Sequence, residues 1–130
     1  MNELTVEWVE KAKGDYATAG REWHAHIRPN YDAAYFHAQQ TPEKYLKAFL
    51  QEHGVPFPKT HSLIELLELC LPLDASFEIQ RGLLVRLDRY AVRYRYPGES
   101  ADKDETRQAF QAAKVVRAFV REKLGLSDDE

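Results

Sequence analysis

The chain has a single cysteine, Cys70, among its 130 residues, so no intrachain disulfide can form and the composition fits a reducing cytoplasm. Long apolar runs are also missing. Nothing approaches the roughly 20 consecutive apolar residues that a membrane span requires, so no membrane association is expected. There is no basic excess: 18 Lys and Arg stand against 21 Asp and Glu, a net charge of -3. That balance argues against a protein that coats DNA uniformly, while leaving room for a local basic patch. Residues Met1 to Glu7 carry acids where an export signal carries a basic patch and an apolar core, so none is expected and the location is read as cytoplasmic. No stretch alternates apolar and polar long enough for a strand, nothing repeats, and no histidine follows His61.

What is present is helical periodicity in an ordinary soluble composition, with 30% charged and 12% aromatic residues. The length suits one domain, residues 1–130, burying roughly two thirds of its unfolded surface. Trp8, Val9, Ala12, Tyr16, Ala19 and Trp23 form the stripe of a first helix. Gly14 and Gly20 each weaken it by about 1 kcal/mol, so close packing is expected at both. His24 and His26 lack the further ligands a zinc site needs and read as a polar helix end, so neither a metal nor a cofactor is expected.

A second helix is expected from about Tyr31 to His53, with Tyr35, Ala38, Leu46 and Phe49 inward. Thr41-Pro42 predicts a kink, or a break with Thr41 capping the second piece. His37, Gln40 and Lys44 share its polar face, with Lys47 nearby and able to pair with Glu43. Solvated charge is the default for that face, and a ligand-facing row is the alternative. Ser62 and Glu65 form a capping box for a short leucine-rich helix, 63–71, stopped by Pro72.

Asp74 is the expected cap of a fourth helix running to Pro97. Phased at about 100° per residue, Leu83, Leu87, Tyr90 and Tyr94 form its core stripe, with Leu84, Asp88, Ala91 and Arg95 on the flank. Val85, Val92 and Tyr96 fall on the opposite face beside Arg89, so one bundle cannot cover all its apolar surface and a second partner is implied. Asp102, Asp104 and Glu105 open a fifth helix, with Ala109, Ala113, Val116, Val120 and Leu124 as its stripe. Gly125 stands at its C-cap, and residues from about 126 to 130 read as a frayed acidic tail. The sum is an all-α chain, an antiparallel four-helix up-and-down bundle with one additional short helix.

The run Tyr35-Phe36-His37-Ala38-Gln39-Gln40 with Glu43, Lys44, Leu46, Lys47 and Ala48, then His61-Ser62-Leu63 with Leu66, then Tyr90 with Arg95-Tyr96-Pro97, resembles a HEPN domain over most of the chain. The order and spacing are similar to the small stand-alone prokaryotic type. The resemblance implies a helical homodimer with a crevice between protomers, a link to nucleotide or RNA chemistry, and a minimal nucleotidyltransferase as partner in a toxin–antitoxin-like pair. Ribonuclease members carry an Arg followed, after four to six residues, by His. Counting from Arg93 and Arg95, those positions hold Gly98, Glu99, Ser100, Ala101 and Asp102.

Two functions are therefore weighed. In the first, a dimeric binding or accessory module engages nucleotide, RNA or partner through Arg89, Arg93, Arg95 and Tyr96, with Gln40 and Lys44 as further ligand contacts. Its bland counterpart has those arginines capping the helix and pairing with Asp88 and the acidic loop, while the tyrosines fill an interface. In the second, a metal-independent ribonuclease uses Arg95 with His37 or His61 brought from another helix. A further possibility makes Tyr94 or Tyr96 the acceptor of a partner's nucleotidyl transfer.

Overall fold

The structure, a computed structural model, describes residues 1–91 and 93–127, and of Ala91 and Arg95 it describes the backbone alone. Val92, the Arg95 side chain and residues 128–130 therefore lie outside the described residues. Among the described residues five α-helices follow one another: α1 Glu3–Trp23, α2 Tyr31–Glu52, α3 Leu63–Cys70, α4 Arg81–Ala91 and α5 Lys103–Lys123. No strand occurs among the described residues.

Contacts at the helix ends fix the directions. The Asn2 amide donates to Glu52 at 3.1 Å, so the start of α1 meets the end of α2. The Ala101 amide donates to Asp32 at 2.7 Å and Arg121 donates to the Tyr45 hydroxyl at 3.1 Å, so α2 and α5 run the same way. Phe77, just before α4, packs on Phe49 and Phe119 at 4.5 and 5.0 Å, and Tyr94, just after it, packs on Tyr35 at 5.0 Å. α4 thus runs against both, and α1, α2, α4 and α5 alternate up and down, with α3 as the additional short helix.

α2 is the central element and touches the other four helices. Its centrality explains why it continues unbroken through Pro42: Thr41 and Pro42 are buried, and tertiary packing outweighs the roughly 3 kcal/mol that proline costs a helix interior. Thr41 does not cap a second helix; its hydroxyl donates back to the His37 carbonyl at 2.8 Å. The same centrality overturns the solvated reading of the α2 polar face, since Gln40, Glu43 and Lys47 are buried.

α4 departs from its expected phase and length. Leu84 is fully buried and Leu83 only half-buried, because α3 covers the line Arg81–Leu84–Asp88: Arg81 reaches Glu68 at 2.6 Å, and Asp88 accepts from the Leu63 and Ile64 amides at 3.0 and 3.1 Å. Asp88 therefore caps α3 from a distance, seconding Ser62, whose hydroxyl oxygen accepts from the Glu65 amide at 3.2 Å. Glu65 does not close the expected box, because its carboxylate accepts from Thr60. Asp74 does act as a cap, but the turns it opens, Ala75–Gln80, are 3-10. A three-residue turn places Phe77 and Gln80 on one side, and both are buried. The α-helix then ends at Ala91, and Arg93–Arg95 form a 3-10 turn before Pro97.

Other expectations hold in detail. Ala109, Ala113, Val116 and Val120 are buried, Asp102 and Glu105 form a complete capping box, and Gly125 has φ 75° at the end of α5. Gly20 faces Phe110, but Gly14 faces open space, so nothing compensates its cost. Leu126 and Ser127 are not frayed: Leu126 packs against the core, and the Ser127 carbonyl accepts from the fully buried Arg121 at 2.9 and 2.6 Å.

Candidate nucleic-acid interface

Three turns of α4 place Gly82, Val85, Arg86 and Arg89 at i, i+3, i+4 and i+7, all on the exposed side. Leu84 and Leu87 anchor the opposite side in the core, so this line cannot rotate away from solvent. With Tyr90 from α4 and Glu105 and Gln108 from α5, the line borders a groove of about 440 Å³. Tyr35, Leu87 and Ala109 floor its deeper end, a pocket of about 30 Å³ with room for a water molecule or two. Arg86 and Arg89 make no hydrogen bond or ion pair among the described residues.

At the end of α4, Tyr90 stacks with Tyr94 of the following turn, centroids 6.0 Å apart, and the Arg93 guanidinium lies over both rings at 5.6 and 5.7 Å. Arg93 Nε donates to Glu99 at 2.8 Å. The Tyr94 hydroxyl donates to Glu105. Burial first, then that carboxylate, pushes the Tyr94 phenol above the ordinary tyrosine range; burial and Glu105 do the same to Tyr35. Both phenols therefore remain neutral. Tyr96 is 62% exposed and Val85 40%, so both stand on the surface of the single chain.

The remaining candidates lie elsewhere. His37 meets Asp15 of α1 at 2.7 Å, and Lys44 pairs with the same carboxylate. Gln40 donates to Gln39 at 2.8 Å, and Gln39 donates to the His61 carbonyl at 3.2 Å. Glu43 holds Lys47 at 3.2 Å and His61 Nδ1 at 2.9 Å, while Lys47 also lies 5.3 Å from the centre of the Trp8 ring. His61 itself is largely exposed. Neither histidine shares a hydrogen bond, ion pair or ring contact with Arg89 or Arg93 among the described residues. Asp88 faces α3 and, among the described residues, pairs with neither Arg89 nor Arg93 as the bland alternative had it, whereas the acidic loop does pair, through Glu99.

Sequence reasoning passed over Arg86, Gln108 and Glu105 as groove residues. Arg86 was legible as the i-3 neighbour of Arg89, but Gln108 and Glu105 needed the α4–α5 packing. Among the described residues no group of three His, Cys, Asp or Glu side chains is placed to hold a metal, and no helix is long and apolar enough to cross a membrane.

Fold and groove together define a small helical domain with a basic, tyrosine-lined surface on its penultimate long helix. The HEPN domain family model matches residues 5–123, nearly the whole chain, and the chain belongs to the HEPN family. That membership supports a nucleotide- or RNA-related role. Neither a curated protein nor a solved structure matches it significantly.

Proposed function

We propose that the protein is a homodimer whose two α4 helices face one another, and that the crevice between them binds a nucleotide or RNA without cutting it. In this reading it serves as the binding or accessory partner of a minimal nucleotidyltransferase, in a two-component system of toxin–antitoxin type in the cytoplasm. The observation that carries it is the outward line Val85, Arg86 and Arg89, continued by Arg93 and Tyr96. Arginine forks match phosphate, tyrosine rings stack on bases, and the exposed Val85 and Tyr96 supply apolar contact for a second copy. Arg95 joins them by its place in the sequence. Cleavage needs a group that takes the 2′-hydroxyl proton and another that protonates the leaving oxygen; arginine, with a pKa above about 12, serves poorly as either.

One observation favours the ribonuclease reading. Glu43, almost fully buried, fixes Nδ1 of an exposed His61, the arrangement that orients an imidazole for proton transfer. Incubating the purified protein with single-stranded RNA in EDTA separates the two. Retention of intact RNA supports the binding module; cleavage that disappears in His61→Ala supports the enzyme. Sedimentation equilibrium tests the dimer, with a dimer mass expected for the wild type and a monomer mass for Val85→Glu. A monomeric wild type overturns the crevice.

A further inference from the structure

Arg93 differs from Arg86 and Arg89 in that, among the described residues, a carboxylate already occupies it. Its guanidinium is held against the stacked Tyr90 and Tyr94 rings, which fix the plane in which it can offer its donors. Glu99 Oε2 accepts from Nε at 2.8 Å, the place where a phosphate oxygen would sit. Resting on the binding reading above, we propose that Glu99 is an internal stand-in for an RNA phosphate, and that a phosphodiester must displace it to reach Arg93.

The loop is shaped to bring this carboxylate back. Gly98 has φ 88°, a conformation that side-chain-bearing residues rarely adopt, and it reverses the chain after Pro97. The Glu99 amide donates to the Tyr96 carbonyl at 3.2 Å, which sets the side chain over the turn that carries Arg93. At its far end the loop is pinned by the Ala101 amide on Asp32, so only the short span between is left without such an anchor to the body of the bundle.

The strength of the pair suits exchange. Its side chains are 50% and 45% exposed, and ion pairs this open to water contribute little to stability. Such a contact, made through Nε alone, holds Arg93 in place when no ligand is present, yet yields to a phosphate that engages the guanidinium fork bidentately. Among the described residues Arg86 and Arg89 carry no such occupant, and both are open to the first encounter. Glu99 thus sets a threshold: an anion that touches only α4 leaves the pair intact, and a strand that reaches the turn opens it.

The test is a double-variant cycle read by fluorescence anisotropy, with a labelled single-stranded RNA of about 12 nucleotides as probe. Glu99→Gln is expected to tighten binding about three- to fivefold in the wild-type background and to leave it unchanged in Arg93→Ala. No gain in the wild-type background overturns the proposal. An equal gain in both backgrounds also overturns it, because Glu99 then acts only as diffuse repulsion. If the wild type binds and Glu99→Gln matches it, the threshold falls while the binding reading stands; if no variant binds RNA, both fall.

Discussion

On α2, Gln40, Glu43 and Lys47 stand at i, i+3 and i+7 and are 6%, 2% and 6% exposed, whereas Arg86 and Arg89, three residues apart on α4, remain open to solvent. Both lines are polar stripes on amphipathic helices. Every charge on the α2 line is matched within the chain: Glu43 takes Lys47 and His61, and Lys47 lies over Trp8 and near Phe57. On the α4 line Arg86 and Arg89 are matched by nothing among the described residues. A charge that the fold has already neutralised is a structural part, and one left open next to a groove is available to a ligand.

Substitutions break this comparison with graded effect. The largest is expected at Glu43: Glu43→Ala leaves Lys47 buried and unpaired and lowers the unfolding free energy by about 3–5 kcal/mol in urea titration. Arg121→Met follows, because Tyr45 and the Ser127 carbonyl lose a fully buried charged donor; the expected cost is about 2–3 kcal/mol by the same measurement. Asp88→Ala removes the second cap of α3 and costs about 1–2 kcal/mol, with faster amide exchange at Leu63 and Ile64. Gly14→Ala acts in the opposite direction, raising stability by up to about 1 kcal/mol, since an added methyl meets nothing within 4 Å.

The smallest effect is a pH limb. Lys123, then Ser76, hold the Asp74 carboxyl at about 2, below its ordinary 3.8. A depressed pKa gives a contribution that is complete above the ordinary value and lost as pH falls toward the folded one. Melting temperatures of wild type and Asp74→Asn should therefore differ above about pH 4 and converge toward about pH 2.

Much of the fold was legible because each helix carries its own punctuation. α5 shows this best: its acidic cap, alanine–valine stripe and terminal glycine lie within the segment itself, and all three stand where periodicity puts them. α2 was misjudged for a reason periodicity cannot supply. A stripe tells which residues share a face, not how many faces the rest of the chain covers, and α2 is packed by four helices. The same gap hid Asp88, whose partners lie 24 and 25 residues earlier. The candidate surface was half legible. Arg89, Arg93 and Tyr96 announced themselves as an arginine–tyrosine cluster, but the groove beside them exists only because α5 lies against α4. Val92 and the Arg95 side chain, both assigned roles from the sequence, lie outside the described residues.

The central claim is that the α4 arginines serve a ligand and not the fold. The direct measurement is the unfolding free energy and the affinity for single-stranded RNA of one variant, Arg86→Ala with Arg89→Ala, in the same buffer. The expected result is a stability within about 1 kcal/mol of wild type, as for two exposed substitutions, together with an affinity at least about tenfold weaker. Unchanged affinity, or a loss of stability comparable with that of Glu43→Ala, would contradict it.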